Sequence, residues 1–265
     1  MLLAVDVGNT HTVVGVFDGP ELVQHWRVST NPGRTADELA LLFQGLMGFA
    51  ELSFSRNVHG VVIASVVPVL TEMLREMVRG YFHFRPLVVG PGTRTGFAIR
   101  MDNPREVGAD RLVNAVAAFE EYGGPGIVVD FGTATSFDVY SARGEFVGGA
   151  IAPGVQSSMD ALAARGAQLG TVELATPRHA IGRSTVEAMQ SGAVYGFAGQ
   201  IDRIVEELAA ELVGPPVAGG PAGPAPVVVA TGGQARDVTR RCRCIDHHDP
   251  WLTLKGLRII WDRNT

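Results

Sequence analysis

The feature that most constrains this chain is a phrase it uses twice. Val5-Asp6-Val7-Gly8 near the start recurs as Val129-Asp130-Phe131-Gly132 near the middle. In both, an apolar, β-rich run ends in Asp-x-Gly. Small polar residues follow, Asn9-Thr10-His11-Thr12 in one and Thr133-Ala134-Thr135 in the other, and a second apolar run returns. The repeat is far too long for a solenoid. Two strand–turn–strand units at this separation predict two topologically similar halves, residues 1–118 and 119–265, each a mixed sheet flanked by helices; the competing reading is a chance likeness of two such units.

The segments between the two phrases fit an α/β chain. LLAVDV, HTVVGVF and LVQHWRV read as three strands separated by the turn signals GNT and DGP. Thr35 with Glu38 forms a capping box, and Leu39, Leu42, Phe43 and Leu46 then make one apolar helical stripe. VHGVVIASV is a buried strand, Pro68 opens a helix, and PLVVG is another strand. A helix from about Asp110 to Tyr122 leads into three more strands within 126–153. Ser184-Thr185-Val186-Glu187 reads as a second capping box, opening a long helix with an apolar face from Met189 to Leu212. Gly192, Gly196 and Gly199 lie inside that helix, where glycine costs up to about 1 kcal/mol each relative to alanine. Close approach by a partner helix gives them a reason. Residues 214–226, nearly all Gly, Pro and Ala, read as a flexible surface loop, and 227–234 as a buried strand ending in a glycine turn.

Hairpin tips rich in Gly, Thr and Asn expose backbone N–H groups that wrap phosphate oxygens, and the hydroxyls of Thr10, Thr12, Thr133 and Thr135 add donors. A carboxylate beside a bare anion repels it. A cation between the two reverses that, so Asp6 and Asp130 read as cation-handling groups in a nucleotide cleft. The competing reading is that Asp6 merely bonds the Gly8 or Asn9 amide in an Asx turn. Neither G-x-x-x-x-G-K-[ST] nor a strand-to-helix G-x-G-x-x-G is present, so the phosphate chemistry falls to the two tips. Phosphoryl transfer also needs a proton acceptor. DNPREVGADRLVNAVAAF supplies Asp110 at the start of a helix, beside Arg111 and after the open Gly108-Ala109. Its alternative is a plain helix N-cap.

Assembled, these segments resemble the type III pantothenate kinases, a bacterial branch of the actin-like superfamily of acetate and sugar kinases. D-x-G-N-T lies at Asp6–Thr10, E-V-G-A-D-R at Glu106–Arg111 and D-F-G-T-A-T at Asp130–Thr135. G-G-A-I-x-P-G lies at Gly148–Gly154, T-G-G at Thr231–Gly233 and L-T-L-K-G-L at Leu252–Leu257. The resemblance implies two ribonuclease H-like (actin-like) halves facing across a nucleotide cleft, and ATP-dependent phosphorylation of pantothenate in coenzyme A synthesis. It implies that Asp6, Val7, Gly8, Asn9, Thr10, His11, Thr12 and Val13 line ATP, with Thr133 from the second tip. Gly108, Ala109, Asp110 and Arg111 would bind pantothenate, with Asp110 the base on its hydroxyl. Asp130 would hold a monovalent cation, K⁺ or NH₄⁺, and Mg²⁺ arrives with ATP. Thr185 would reach pantothenate from the neighbouring subunit of a homodimer whose active site lies at the interface. Met101 stands near a position where many relatives carry an aromatic residue against pantothenate, and segments 214–226 and 240–244 match nothing in the family pattern.

The bulk properties exclude other classes. A net charge of −5 gives no global attraction to nucleic acid or to an anionic membrane. No apolar run has the roughly 20 residues a spanning helix needs, and Asp6 interrupts what a signal peptide would keep apolar. A cytoplasmic enzyme is the expectation. Cys242 and Cys244 flank Arg243 and read as incidental thiols, and His247-His248 as a polar loop rather than a metal site. The rival function is a catalytically idle member of the superfamily, acting as a nucleotide-dependent regulatory or accessory factor.

Overall fold

The computed structural model describes residues 1–166, 169–214, 223–233 and 236–265. They form two compact units, Met1–Phe97 with Asn103–Ala117 and Leu252–Thr265, and Ala98–Asp102 with Ala118–Trp251. The elements in chain order are β1 Leu2–Val7, β2 His11–Asp18, β3 Glu21–Ser29, α1 Ala36–Phe49, α2 Phe54–Asn57, β4 Gly60–Ser65, α3 Pro68–Tyr81 and β5 Leu87–Val88. Then come β6 Ala98–Ile99, α4 Ala109–Tyr122, β7 Gly126–Phe131, β8 Ala134–Tyr140, β9 Glu145–Pro153, α5 Val155–Arg165 and α6 Thr185–Val213. The chain finishes with β10 Val227–Gly232, α7 Arg236–Thr239, β11 His247–His248 and α8 Leu252–Asn264.

The first unit is built on a sheet of order β3-β2-β1-β4-β5. β1 pairs antiparallel with β2 and parallel with β4, and it is buried along nearly its whole length, as a central strand covered on both faces must be. β3 at the edge is mostly exposed. One face packs on α1 and α3 through Phe43, Met47, Leu70, Leu74 and Met77. Thr35 caps α1 as expected: its hydroxyl accepts from the Glu38 N–H at 3.3 Å, and the Glu38 carboxylate accepts from the Thr35 N–H at 2.8 Å. α8 also belongs to this unit, with Trp261 lying against Gly60 of β4. A division of the chain in sequence order at residue 118 assigns 252–265 to the second half; in the fold these residues pack with the first.

The second unit repeats that plan. Its sheet runs β11-β10-β7-β8-β9-β6, with β7 antiparallel to β8 and parallel to β10. Strand for strand, β7, β8, β9, β10 and β11 stand where β1, β2, β3, β4 and β5 stand, and β6 extends one edge. The repeated phrase is therefore a repeated topology. α6 buries Met189, Val194, Ile201 and Val205, with Phe197, Ile204, Leu208 and Leu212 half-buried along the same side. Its expected capping box is half formed. The Ser184 hydroxyl accepts from the Glu187 N–H at 3.2 Å, but the Glu187 carboxylate reaches past Ser184 to the Arg183 N–H at 2.8 Å. His247-His248 form a two-residue edge strand on β10 rather than a loop, because they continue the parallel ladder from Val229 and Ala230. Most of the Pro/Gly/Ala segment, 215–222, lies outside the described residues, as does Gln234.

One glycine on α8 tests this packing. A Cβ on Gly256 would overlap the carbonyl oxygen of Val113 in α4, a backbone atom that cannot step aside. Gly45 in α1, by contrast, faces open space. Gly256→Ala is expected to lower stability by about 1–3 kcal/mol, and Gly45→Ala to raise it by up to about 1 kcal/mol. Urea denaturation reads both, and a Gly256→Ala midpoint at or above wild type contradicts the close approach.

Candidate active site

Asp6 is the penultimate residue of β1, opposite Val13 on β2 and beside Ala64 on β4, so ladders on both sides hold its backbone. The chain then turns through exposed Asn9 and Thr10. The Gly8 N–H donates to the His11 carbonyl at 3.0 Å, a backbone bond that closes the turn. A residue that sequence reasoning missed holds the turn from behind. Thr30, just past the end of β3, donates its hydroxyl to the Gly8 carbonyl at 2.7 Å and its N–H to the Thr10 carbonyl at 2.9 Å. Its Oγ1 also lies 2.9 Å from Oγ1 of Thr12. In the run S-T-N-P-G-R-T, Thr30 carries only a turn signal.

The first unit also carries the E-V-G-A-D-R block. Asn103 organises its approach, accepting from the Arg105 N–H at 3.3 Å and donating to the Glu106 carboxylate at 2.7 Å. The Gly108 carbonyl receives the Leu112 N–H at 3.2 Å, so Gly108 takes the cap position. Asp110 is two residues further on, in the first turn of α4, and the N-cap reading of Asp110 does not hold. Its Oδ1 accepts from the Arg111 N–H at 2.9 Å and lies 2.5 Å from where a Gly108 Cβ would stand. Only a residue without a side chain fits at Gly108 against that carboxyl oxygen. A carboxylate there also sits at the positive end of the helix dipole.

In the second unit Asp130 has the same station on β7, opposite Ser136 on β8 and beside Thr231 on β10. The tip is tighter than the first, with the Gly132 N–H donating to the Ala134 carbonyl at 3.0 Å. Its support comes from the start of α5. The Ser157 hydroxyl donates to the Thr133 carbonyl at 2.7 Å, and a Cβ on Gly154 would overlap the carbonyls of Gly132 and Thr133. Of the four threonines read as phosphate donors, Thr10 and Thr133 are exposed at the tips, whereas Thr12 and Thr135 are buried.

Gly232 packs directly over Asp130. Its backbone is left-handed, φ +89°, and a Cβ there would lie 2.5 Å from the Phe131 carbonyl oxygen and 2.7 Å from Asp130 Oδ1. The carboxylate and the main-chain carbonyl thus pack against a bare Cα, where only glycine fits. A carboxylate oxygen suits a hard cation and not a thiophilic transition metal. Among the described residues no three His, Cys, Asp or Glu side chains cluster as metal ligands. Cys242 and Cys244 are free and half-buried; burial, with Asp202 nearby, pushes the Cys242 thiol up to about 12 and raises Cys244 as well. Both are therefore protonated, unreactive thiols at neutral pH.

Thr185 is exposed at the first position of α6 and lines an apolar groove of about 430 Å³ between α5 and α6, with Ser158, Met159, Met189, Gly192 and Phe197. α5 links this groove to the second tip, since Ser157 grips Thr133 and its neighbour Ser158 lines the groove. Gly192, Gly196 and Gly199 all face open space along one side of α6. Met101 is half-buried in the segment Ala98–Asp102 of the second unit.

Comparison with known proteins bears on the family. The family model for type III pantothenate kinase matches residues 2–207. The chain is 56% identical to the type III pantothenate kinase of Streptomyces avermitilis, across 100% of this chain and 98% of that protein. The fold is similar to that of a Campylobacter jejuni protein named as a Baf family transcriptional activator, with a TM-score of 0.60 at 18% identity over 99% and 98% of the two chains. It is also similar to the activator of 2-hydroxyisocaproyl-CoA dehydratase from Clostridium difficile, solved with bound ADPNP, with a TM-score of 0.53 at 12% identity over 99% and 93%. Those two likenesses speak to the fold alone. High identity along the full length, with a family match spanning both aspartate-bearing tips and the Asp110 block, places this chain in the type III pantothenate kinase family.

Proposed function

We propose that this chain transfers the γ-phosphoryl group of ATP to the terminal hydroxyl of pantothenate, giving 4′-phosphopantothenate and ADP, the first step of coenzyme A synthesis. The observation that carries the reading is 56% identity over the entire chain to a protein of that name. No observation favours an idle regulatory factor. Phosphoryl transfer asks a protein mainly for positioning and charge stabilisation, and the residues divide that work. Asp6 through Val13 and Thr133 hold the triphosphate, chiefly through tip amides and the exposed Thr10 and Thr133 hydroxyls. Gly108 to Arg111 hold pantothenate, with the Arg111 guanidinium suited to its carboxylate. Asp110 accepts the hydroxyl proton as that oxygen attacks the γ-phosphorus and the β–γ bridging oxygen departs with ADP. Asp130 would hold K⁺ or NH₄⁺, which would supply positive charge to offset that of the triphosphate; Mg²⁺ would enter with ATP.

The working form is a homodimer, with Thr185 of one subunit reaching pantothenate bound to the other. Three open glycines on one side of α6 and the apolar groove beside them support a second copy as their partner. The reaction places the enzyme in the cytoplasm, and no helix among the described residues is long and apolar enough to cross a membrane.

A coupled assay for ADP release tests reaction, substrate and cation together. ADP should form only with pantothenate present, and faster in potassium than in sodium buffer; pantothenate-independent turnover overturns the assignment. Asp110→Asn is expected to lower kcat by about 10²–10⁴-fold while ATP binding, read by calorimetry, persists. Asp130→Ala should abolish potassium activation, and a variant still activated by potassium removes the cation from that site. Gly196→Glu adds a charge where the protomer has room, so the fold should survive while sedimentation velocity shows monomers. A dimer that persists in that variant moves the interface elsewhere.

A further inference from the structure

We propose that Thr30 is a positioning residue for the first phosphate tip, aiming its backbone donors at ATP through two grips on the tip's carbonyls. The inference rests on the assignment of Asp6–Val13 to the nucleotide. Thr30 stands outside that segment and outside every motif quoted above, yet it holds the carbonyls on either side of Asn9, Gly8 through its hydroxyl and Thr10 through its N–H. In a planar trans peptide the C=O and the following N–H point opposite ways, and the Gly8–Asn9 bond is trans. Drawing the Gly8 carbonyl toward β3 therefore turns the Asn9 N–H away from β3, on the exposed side of the turn.

The hydroxyl network has one allowed direction. A threonine hydroxyl carries a single proton, and that of Thr30 is committed to the Gly8 carbonyl. In the 2.9 Å contact with Thr12, the Thr12 hydroxyl must then be the donor. The chain reads Thr12 O–H to Thr30 Oγ1, then Thr30 O–H to Gly8 C=O. Thr12 is 6% exposed, so its proton is spent inside this relay, and the Thr12 side chain shapes the tip from beneath without presenting a donor to phosphate. The β-branched threonine has a restricted χ1, which suits it to a fixed grip. The second tip is held in the same manner by a different element, where the Ser157 hydroxyl grips the Thr133 carbonyl. A hydroxyl from outside the tip that grips a tip carbonyl is thus present in both units.

Thr30→Val keeps the shape and deletes the grip, whereas Thr30→Ser keeps the hydroxyl. Thr30→Val is expected to raise KM for ATP about tenfold, with KM for pantothenate moved less than about twofold, and Thr30→Ser to stay near wild type. A Thr30→Val enzyme kinetically equal to wild type overturns the proposal. So does a Thr30→Ser enzyme as impaired as Thr30→Val, or a loss shared equally between the two substrates. Thr12→Val, which removes only the upstream donor, provides a second variant should Thr30→Val fail to fold; it should raise KM for ATP in the same direction by a smaller factor, and no change counts against the relay. Amide hydrogen exchange of residues 6–13, with and without Mg²⁺ and a non-hydrolysable ATP analogue, separates the two layers of the argument. No slowing in the wild type defeats the nucleotide assignment and the brace with it. Slowing that is equal in the wild type and Thr30→Val defeats the brace alone.

Discussion

The proposed reaction depends on two aspartates held at the ends of central strands. β1 and β7 each have an antiparallel partner on one side and a parallel partner on the other. An aspartate at the end of such a strand cannot shift without breaking hydrogen bonds in two ladders. That rigidity suits a carboxylate to the role proposed for it, a reference point for a cation and a triphosphate, because sites on strands hold their geometry better than sites on loops. The antiparallel partner also returns the chain through a tight tip, so exposed backbone donors appear within a few residues of the acid. Strand, acid and donor-bearing turn form one unit, which this chain contains twice.

The two copies are not identical, and their differences lie in how the tips are supported. The first turn, through Asn9 and Thr10, is gripped from the end of β3 by Thr30. The second is shorter, is gripped by Ser157 of α5, and is overlaid by the bare backbone of Gly154. The second also meets Gly232, whose missing side chain lets its backbone lie against the Asp130 carboxylate and the Phe131 carbonyl. Gly154 of the G-G-A-I-x-P-G motif and Gly232 of the T-G-G motif thus have a steric meaning. They stand where the backbone of a neighbouring element comes against the second tip and its aspartate.

Much of this was legible in the residues. β-rich runs ending at Asp-x-Gly marked both hairpins, because alternation and turn chemistry are local properties. Thr35 and Glu38 announced α1 through a reciprocal cap that needs only four residues. α5 was not visible: VQSSMDALAAR buries only Val155 and Met159, too few apolar positions to draw a helical stripe. Ser184 to Glu187 marked the start of α6, but which amide Glu187 would reach depended on the path of the chain before it. Thr30 and Ser157 were hidden for another reason. A single hydroxyl grip on a carbonyl leaves no periodic trace, and the carbonyl it grips lies more than twenty residues away.

By itself the sequence determined the class of fold, the internal duplication, the two acidic tips and the Asp110 block, since each is written in contiguous residues whose spacing sets their geometry. Tertiary structure alone decided that α8, last in the chain, packs with the first unit, and which threonines face outward. It also decided that Gly108 rather than Asp110 takes the cap position of α4. Those outcomes follow from contacts between residues remote in sequence, where packing and hydrogen-bond closure, rather than local propensity, choose the partner.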